Sequence, residues 1–408
     1  MGRDAAIERD LNDPLREVRD RFELPAGLIY LDGNSLGPLP VGVRERVAAV
    51  VSEEWGRDLI TSWNRHDWIN LPARVGEKIG RLIGATAGSV VAGDSTSVQL
   101  FKLLTAAVRL RPGRRVIVTE TGNFPTDSYI AASVASLVGG EVRWCDPSDV
   151  GPALDADVAV LALTHVDYRT GRMHDAGALT AAAHDVGALA CWDLCHSAGA
   201  VPVDLTGWDA DLAVGCGYKY LNGGPGAPAF GYAHPRWHGE LDQPLSGWMG
   251  HAAPFALERD YRPADGIARL RTGTPDVLGM SALDTALDVF DGVSMADVRA
   301  KSLALTDYFI GLVDARLAGH GVRVEAPRTR AERGSQVCLR HPAAYGLVQA
   351  LIARGVVGDF RAPDLARFGF APLYVRFVDV WDAVDHLLAV LRDEEWARPE
   401  FAARAAVT

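Results

Sequence analysis

The stretch Asp211-Leu212-Ala213-Val214-Gly215-Cys216-Gly217-Tyr218-Lys219-Tyr220-Leu221-Asn222-Gly223-Gly224-Pro225-Gly226-Ala227 decides how the rest of the chain is read. An apolar run, Leu212 to Val214, delivers Lys219 between two tyrosines and ahead of a Gly/Pro-rich turn. Desolvation penalises the charged form of a lysine at the end of a buried strand, so a lysine kept there has a chemical task. Glycines on both sides let a bulky group approach the backbone closely. A cofactor held as a Schiff base is such a group.

Outward from this stretch, short apolar runs alternate with helical patterns. Residues 116–120, 141–145, 157–163, 188–194, 211–217 and 227–232 each read as a buried strand, and 95–109 and 175–185 read as intervening helices. That alternation predicts an α/β fold with a mainly parallel sheet covered on both faces. In such sheets ligands sit beyond the carboxyl ends of the strands. Upstream, residues 4–22 pattern as a short surface helix, 28–38 as a strand broken by a turn, and 40–55 as a helical run. The aromatic segment 57–71, with Trp63, His66 and Trp68, reads equally as a packed surface loop or a pocket loop. Downstream, 244–275 resists assignment, and helical patterns return at 277–290 and 296–317. Strands at 322–325, 336–340, 356–360 and 374–377, with helices near 343–354 and 381–394, predict a small α+β domain. The tail after Arg398 reads as frayed.

At 408 residues the chain exceeds the size at which one core usually stops growing, so two domains are expected. With 41 basic and 52 acidic residues the net charge is -11, which argues against nucleic acid or an anionic membrane as partner and favours a small-molecule substrate. The five cysteines, Cys145, Cys191, Cys195, Cys216 and Cys338, contain no CxxC pair. They fit reduced thiols in a cytoplasmic protein better than a disulfide framework or a metal site. The N-terminus lacks an apolar core of the signal-peptide kind, and no run approaches the ~18 apolar residues a membrane span needs.

Chemistry gathers at the strand ends. Asp193 closes one strand, His196 follows it in Asp-Leu-Cys-His, and Lys219 ends the next strand. A carboxylate and a lysine on adjacent parallel strands are the pair that pyridoxal 5'-phosphate needs: the lysine binds its aldehyde and the carboxylate keeps the ring nitrogen protonated. Asp94-Ser95-Thr96-Ser97 opens a helix and offers free N–H groups to an anion; alone it is an ordinary cap, but beside Lys219 and Asp193 it reads as a phosphate site. In Asn123-Phe124-Pro125-Thr126-Asp127, Phe124 can stack on a planar ring and Asp127 can contact the cofactor, although these residues also suit a plain turn.

The sequence as a whole resembles the kynureninases. The resemblance rests on Tyr30-Leu-Asp-Gly-Asn-Ser-Leu-Gly, Asp94-Ser-Thr-Ser-Val, Asn123-Phe-Pro-Thr-Asp, Tyr168-Arg-Thr-Gly, Trp192-Asp-Leu-Cys-His-Ser-Ala-Gly, Gly217-Tyr-Lys-Tyr-Leu-Asn-Gly-Gly-Pro-Gly, Gly247-Trp-Met-Gly-His and Gly369-Phe-Ala-Pro-Leu-Tyr, in that order across about residues 28 to 395. It implies a fold-type I pyridoxal-phosphate architecture: a large domain with a seven-stranded sheet at 61–275, and a small domain made from 1–60 and 276–408. It also implies a homodimer with shared active sites and hydrolytic cleavage of L-kynurenine to anthranilate and L-alanine. Carried over by position, Lys219 joins the cofactor and acts as base, Asp193 holds the ring nitrogen and Phe124 stacks on the ring. Thr96, Ser97 and Tyr218 take the phosphate, Tyr218 doubling as an acid, and Asp127, His196 and Thr164 complete the shell. Trp248 and Thr274 match positions that reach the site from the neighbouring subunit. Ser35, Trp63 and Arg367 match substrate contacts; Arg367 takes the α-carboxylate, with Arg376, in an expected strand, as its rival. Members that prefer 3-hydroxykynurenine tend to carry histidine where this chain has Trp63 and asparagine where it has Thr274, so a modest preference for unsubstituted L-kynurenine is expected. The alternatives are another fold-type I enzyme, such as a cysteine desulfurase or an aminotransferase, or a non-catalytic binding protein on the same scaffold.

Overall fold

Runs of Val, Ile, Leu and Ala long enough for a strand but too short for a buried helix become the centre of the protein. The computed structural model describes residues 2–401, 403 and 404. Its strands are β1 (Ile29–Tyr30), β2 (Val90–Ala92), β3 (Val116–Glu120), β4 (Glu141–Cys145), β5 (Val158–Thr164), β6 (Leu189–Asp193), β7 (Leu212–Gly215), β8 (Phe230–Ala233), β9 (Arg323–Val324), β10 (Gln336–Arg340), β11 (Val356–Val357), β12 (Asp359–Arg361) and β13 (Leu365–Gly369). The main sheet has seven strands in the order β2-β8-β7-β6-β5-β3-β4. From β4 through β7 the neighbours are parallel, and β8 runs antiparallel between β7 and β2. Every residue of β3, β5, β6, β7 and β8 is buried, whereas edge strand β4 keeps polar, exposed positions. Burial on both faces is why the inner strands read as unbroken apolar runs. The helices Thr96–Arg109 and Ala176–Asp185 lie where the sequence puts them. Strand β2 was not anticipated: three residues are too few to show a period.

A second sheet, in the order β12-β13-β10-β9, is antiparallel. The N-terminal segment is tied to this end of the molecule, since β1 pairs with β11 and Gly369 N donates to the carbonyl of Leu31 at 2.7 Å. Asp10, on the helix Arg3–Leu11, accepts from the backbone N–H groups of Phe377 and Val378 at 2.6 and 3.0 Å, where a carboxylate meets the positive end of a helix.

The chain also departs from its sequence reading near its C-terminus. Residues 374–377 are not a strand: Arg376 is the N-cap of the helix Phe377–Arg392, its backbone N–H bound to Asp379 at 2.9 Å and its guanidinium paired with the same carboxylate at 2.7 Å. The strand of this region is β13, which holds Arg367 at its middle. The tail begins with a 3-10 turn, Pro399–Phe401, and the carbonyl of Ala403 accepts from Tyr345 at 2.9 Å; the rest of the expected frayed segment, 405–408, lies outside the described residues. No helix among the described residues is long and apolar enough to cross a membrane.

Candidate active site

Parallel register brings two polar residues to one edge. Thr164 ends β5 and Asp193 ends β6, and the two are register partners. The Thr164 hydroxyl donates to Asn123 Oδ1 at 2.6 Å and lies 3.3 and 3.4 Å from carboxylate oxygens of Asp127 and Asp193. Asp193 is fixed through its other oxygen, which accepts from the backbone N–H of Cys195 at 2.8 Å. Burial and the facing Asp193 carboxylate push Asp127 well above the ordinary carboxylate range. Two buried carboxylates this close share a proton rather than both ionise.

Lys219 arrives on a turn. Strand β7 stops at Gly215, and the chain then folds so tightly that a Cβ on Gly217 would sit 2.4 Å from the carbonyl of Pro228. Gly37 donates its N–H to the carbonyl of Tyr218 at 2.8 Å, so the N-terminal segment braces the turn. Lys219 Nζ donates to His196 Nε2 at 2.9 Å. Burial and the charge of Lys219 press His196 well below its usual pKa, so the imidazole is neutral and its proton sits on Nδ1. That nitrogen donates to Gln336 Oε1 at 3.1 Å, and Gln336 Nε2 in turn donates to the carbonyls of Asp167 and Tyr168 at 3.0 Å each.

Helix starts supply the remaining wall. The helix Thr96–Arg109 is capped by Ser95, whose hydroxyl accepts from Val98 N at 3.4 Å, and Thr96 and Ser97 form its first turn. Phe124 caps the helix Pro125–Val138, which places Asp127 one turn in; the Phe124 ring meets Tyr168 edge to face at 5.2 Å. A cavity of about 160 Å³ is bounded by Thr96, Ser97, Phe124, Asp127, Thr164, Asp193, His196, Tyr218 and Lys219, joined by Ser95, Thr126, Tyr168 and Cys195. All nine residues in the first group were singled out in the sequence. Tyr168 was visible only within a quoted motif, and Cys195 carried no signal of its own. Burial pushes the Tyr218 phenol up, so it keeps its proton at neutral pH.

The other sequence candidates lie outside that cavity. Arg367 stands behind Tyr168, donating from Nη1 to its carbonyl at 2.7 Å and from Nη2 to Ser35 Oγ at 2.8 Å. Trp63 is half-buried against Trp68, their rings 6.1 Å apart. Thr274 lines a neighbouring cavity of about 350 Å³ that shares Ser95 with the first. Trp248 is exposed and packs edge to face on Phe255 at 5.5 Å.

These residues fit pyridoxal 5'-phosphate. The facing carboxylates of Asp127 and Asp193 have a hydroxyl beside them and, among the described residues, no cation in hydrogen-bond contact, which is the environment a protonated ring nitrogen completes. The amine of Lys219 and the N-terminus of a 14-residue helix border the same space, one able to meet an aldehyde and the other a phosphate.

Comparison with known proteins gives the same picture. A family profile described as the kynureninase C-terminal domain matches residues 298–387. A protein named kynureninase from Burkholderia pseudomallei is 52% identical over 413 aligned residues, covering 100% of this chain and 99% of that protein. One of the same name from Pseudomonas fluorescens is 51% identical with the same coverage. Among solved structures, an apo cysteine desulfurase from Thermococcus onnurineus superposes with a TM-score of 0.78 at 18% identity, covering 92% of this chain and 98% of the other. A variant of C-DES with glycine covalently linked to its PLP cofactor gives 0.77 at 18%, covering 92% and 99%. At these identities the solved structures share the fold-type I architecture.

Proposed function

The chain belongs to the kynureninase family, and from that premise we propose that it hydrolyses L-kynurenine to anthranilate and L-alanine with pyridoxal 5'-phosphate as cofactor. The observation that carries the reading is the meeting of Lys219, His196 and the Asp127–Asp193 pair in one cavity of a chain 52% identical, end to end, to proteins of that name.

When bound, the cofactor supplies an electron sink for the substrate carbons. Asp193 holds the ring nitrogen protonated, and Asp127, the protonated partner of the pair, supports it. Phe124 stacks on the ring face; Thr96, Ser97 and Tyr218 bind the phosphate. Lys219, steadied by neutral His196, carries the cofactor and then takes the proton from substrate Cα. Once water has added to the side-chain carbonyl carbon, the bond from that carbon to Cβ can break, leaving that carbon as the carboxyl group of anthranilate, and Tyr218 Oη returns a proton to Cβ. Arg367 orients the α-carboxylate, with Ser35 beside it. Residues 61–275 form the cofactor-binding domain, and 1–60 with 276–408 the smaller one; the β1–β11 pairing and the bond from Asp10 to the last helix support that division. The protein acts as a cytoplasmic homodimer in which Trp248 and Thr274 serve the site of the partner subunit, a reading supported by their position outside the cavity of their own chain.

A cysteine desulfurase needs an accessible nucleophilic thiol. Cys338 sits in β10, fully buried, with its thiol pushed up by burial, and does not suit that role. The test is direct: the cofactor-loaded protein is incubated with L-kynurenine and anthranilate fluorescence is followed. No anthranilate from folded holoprotein would overturn the reading. With Trp63 and Thr274 offering no matched partner to a ring hydroxyl, kcat/KM for L-kynurenine exceeds that for 3-hydroxykynurenine by roughly tenfold; equal constants would refute that preference.

A further inference from the structure

The arginine assigned to the substrate carboxylate is already engaged. Arg367 is 1% exposed, and it binds Asp359 through two parallel hydrogen bonds, Nε to Oδ1 at 2.7 Å and Nη2 to Oδ2 at 2.5 Å. With Tyr168 and Ser35 as further acceptors, four of its five N–H groups are used. Beside it stands Arg361, at the end of β12. Its Nη2 reaches the same Asp359 Oδ2 at 2.5 Å and Ser35 Oγ at 3.3 Å, which sets the two guanidinium groups side by side. The Nε of Arg361 is enclosed and without a partner among the described residues, its Nη1 makes no hydrogen bond with them either, and its side chain is 32% exposed. One carboxylate therefore faces two guanidinium groups, and the more exposed one keeps its Nη1 unpaired among the described residues.

We propose that Arg361 and Arg367 receive the substrate α-carboxylate together, Arg361 as the accessible donor and Arg367 as the wall that Asp359 holds in place. The proposal rests on the kynureninase reading of the cavity. An incoming carboxylate meets Arg361 first, and a planar fork fixes its orientation as an ammonium would not. Asp359 and Ser35 are positioning residues that act through the two arginines.

Asp32 sets the charge of this receptor. It is half-buried near Asp359, its enclosed Oδ1 has no partner among the described residues, and desolvation with the Asp359 charge raises its pKa to about 7. The other groups packed here are neutral: the phenols of Tyr30, Tyr220 and Tyr374 and the thiol of Cys338 are pushed up, and His196 is pushed down. Asp167 and Arg169, on the segment beneath Arg367, carry opposite charges. Below pH 7, two arginines face Asp359 alone and the cluster is net positive; above it, ionised Asp32 competes with the ligand.

The test compares L-alanine with L-alaninamide as ligands of the cofactor-loaded protein, by calorimetry. In Arg361→Gln the Kd for L-alanine rises about tenfold or more, the loss of a charge-assisted bond, while that for L-alaninamide stays within about twofold. Arg361→Lys falls between, and it also serves if the glutamine variant does not fold, as judged by melting and cofactor absorbance. For wild type the Kd for L-alanine rises between pH 6 and 8, and Asp32→Asn flattens that rise. An unchanged preference for carboxylate over amide in Arg361→Gln overturns the proposal. Failure of wild type to form anthranilate would instead overturn the functional reading, since calorimetry reports on Arg361 without turnover.

Discussion

At the residue scale, the two carboxylates at the strand ends are not equivalent. Burial and the facing Asp193 carboxylate push Asp127 well above the ordinary carboxylate range, so Asp127 carries a proton, whereas Asp193 is the one that accepts the Cys195 N–H. Asp127→Asn replaces a neutral group by a neutral group, so kcat falls less than about tenfold, while Asp193→Asn removes the charge opposite the ring nitrogen and costs about a hundredfold or more. Steady-state rates with L-kynurenine decide between these outcomes; equal losses would mean that the pair holds its proton the other way. Both residues were legible in the sequence, Asp193 because it closes an apolar run and Asp127 because it follows a strand in a turn. Asp359 was not. It is an acidic residue two positions from Arg361 in a short strand, and nothing in its spacing announces that it will be buried against Arg367.

At the element scale, helix starts and turns hold the chemistry in place. Thr96 and Ser97 lie in the first helical turn behind Ser95; if they hold the phosphate as proposed, each substitution to Ala removes one donor and weakens cofactor binding by roughly tenfold, read by cofactor absorbance on titration. The turn that presents Lys219 depends on Gly37 from a distant segment. A Cβ there would lie 2.4 Å from Asn222 Oδ1, 2.5 Å from the carbonyl of Lys219 and 2.6 Å from the Asn222 Cα, so backbone would still block it if the Asn222 side chain moved. Gly37→Ala therefore shifts the lysine turn, lowering kcat and costing about 1–3 kcal/mol of stability by overpacking; wild-type melting and turnover would show that the segments are not in register. Elements with a long apolar period were readable: β3 to β8 and the helices Thr96–Arg109 and Met295–Arg316 stand where the pattern puts them. Those governed by pairing were not. Tyr374-Val375-Arg376-Phe377 has strand-like composition, yet Asp379 captures Arg376 and starts a helix. In β13 a central arginine hides the strand, because its charge is matched by Asp359 rather than by water.

At the scale of the whole molecule, one chain leaves apolar surface that its own core does not cover. Trp55, Leu59 and Ile60 are exposed on one segment, and Phe255 and Leu257 on the loop that follows Trp248. Large apolar side chains left exposed close together in this way suit an association surface. Two of the residues matched to the kynureninase pattern, Trp248 and Thr274, belong to that same irregular region, 244–275, whose sequence gave no periodic signal because its structure is short 3-10 turns between glycines and prolines. If each site takes Lys219 from one subunit and Trp248 with Thr274 from the other, two inactive variants must rescue one another. Lys219→Ala has no lysine to bind the cofactor, and Trp248→Ala combined with Thr274→Ala damages the part supplied across the interface. In a heterodimer of the two, one site receives both defects and the other receives neither. With random pairing, half the dimers are mixed and half of their sites are intact, so co-expression recovers about a quarter of wild-type activity. Differently tagged subunits, purified in tandem, isolate the mixed dimer and raise that figure to about half. Mixed dimers that form and remain inactive would place each complete site within a single subunit.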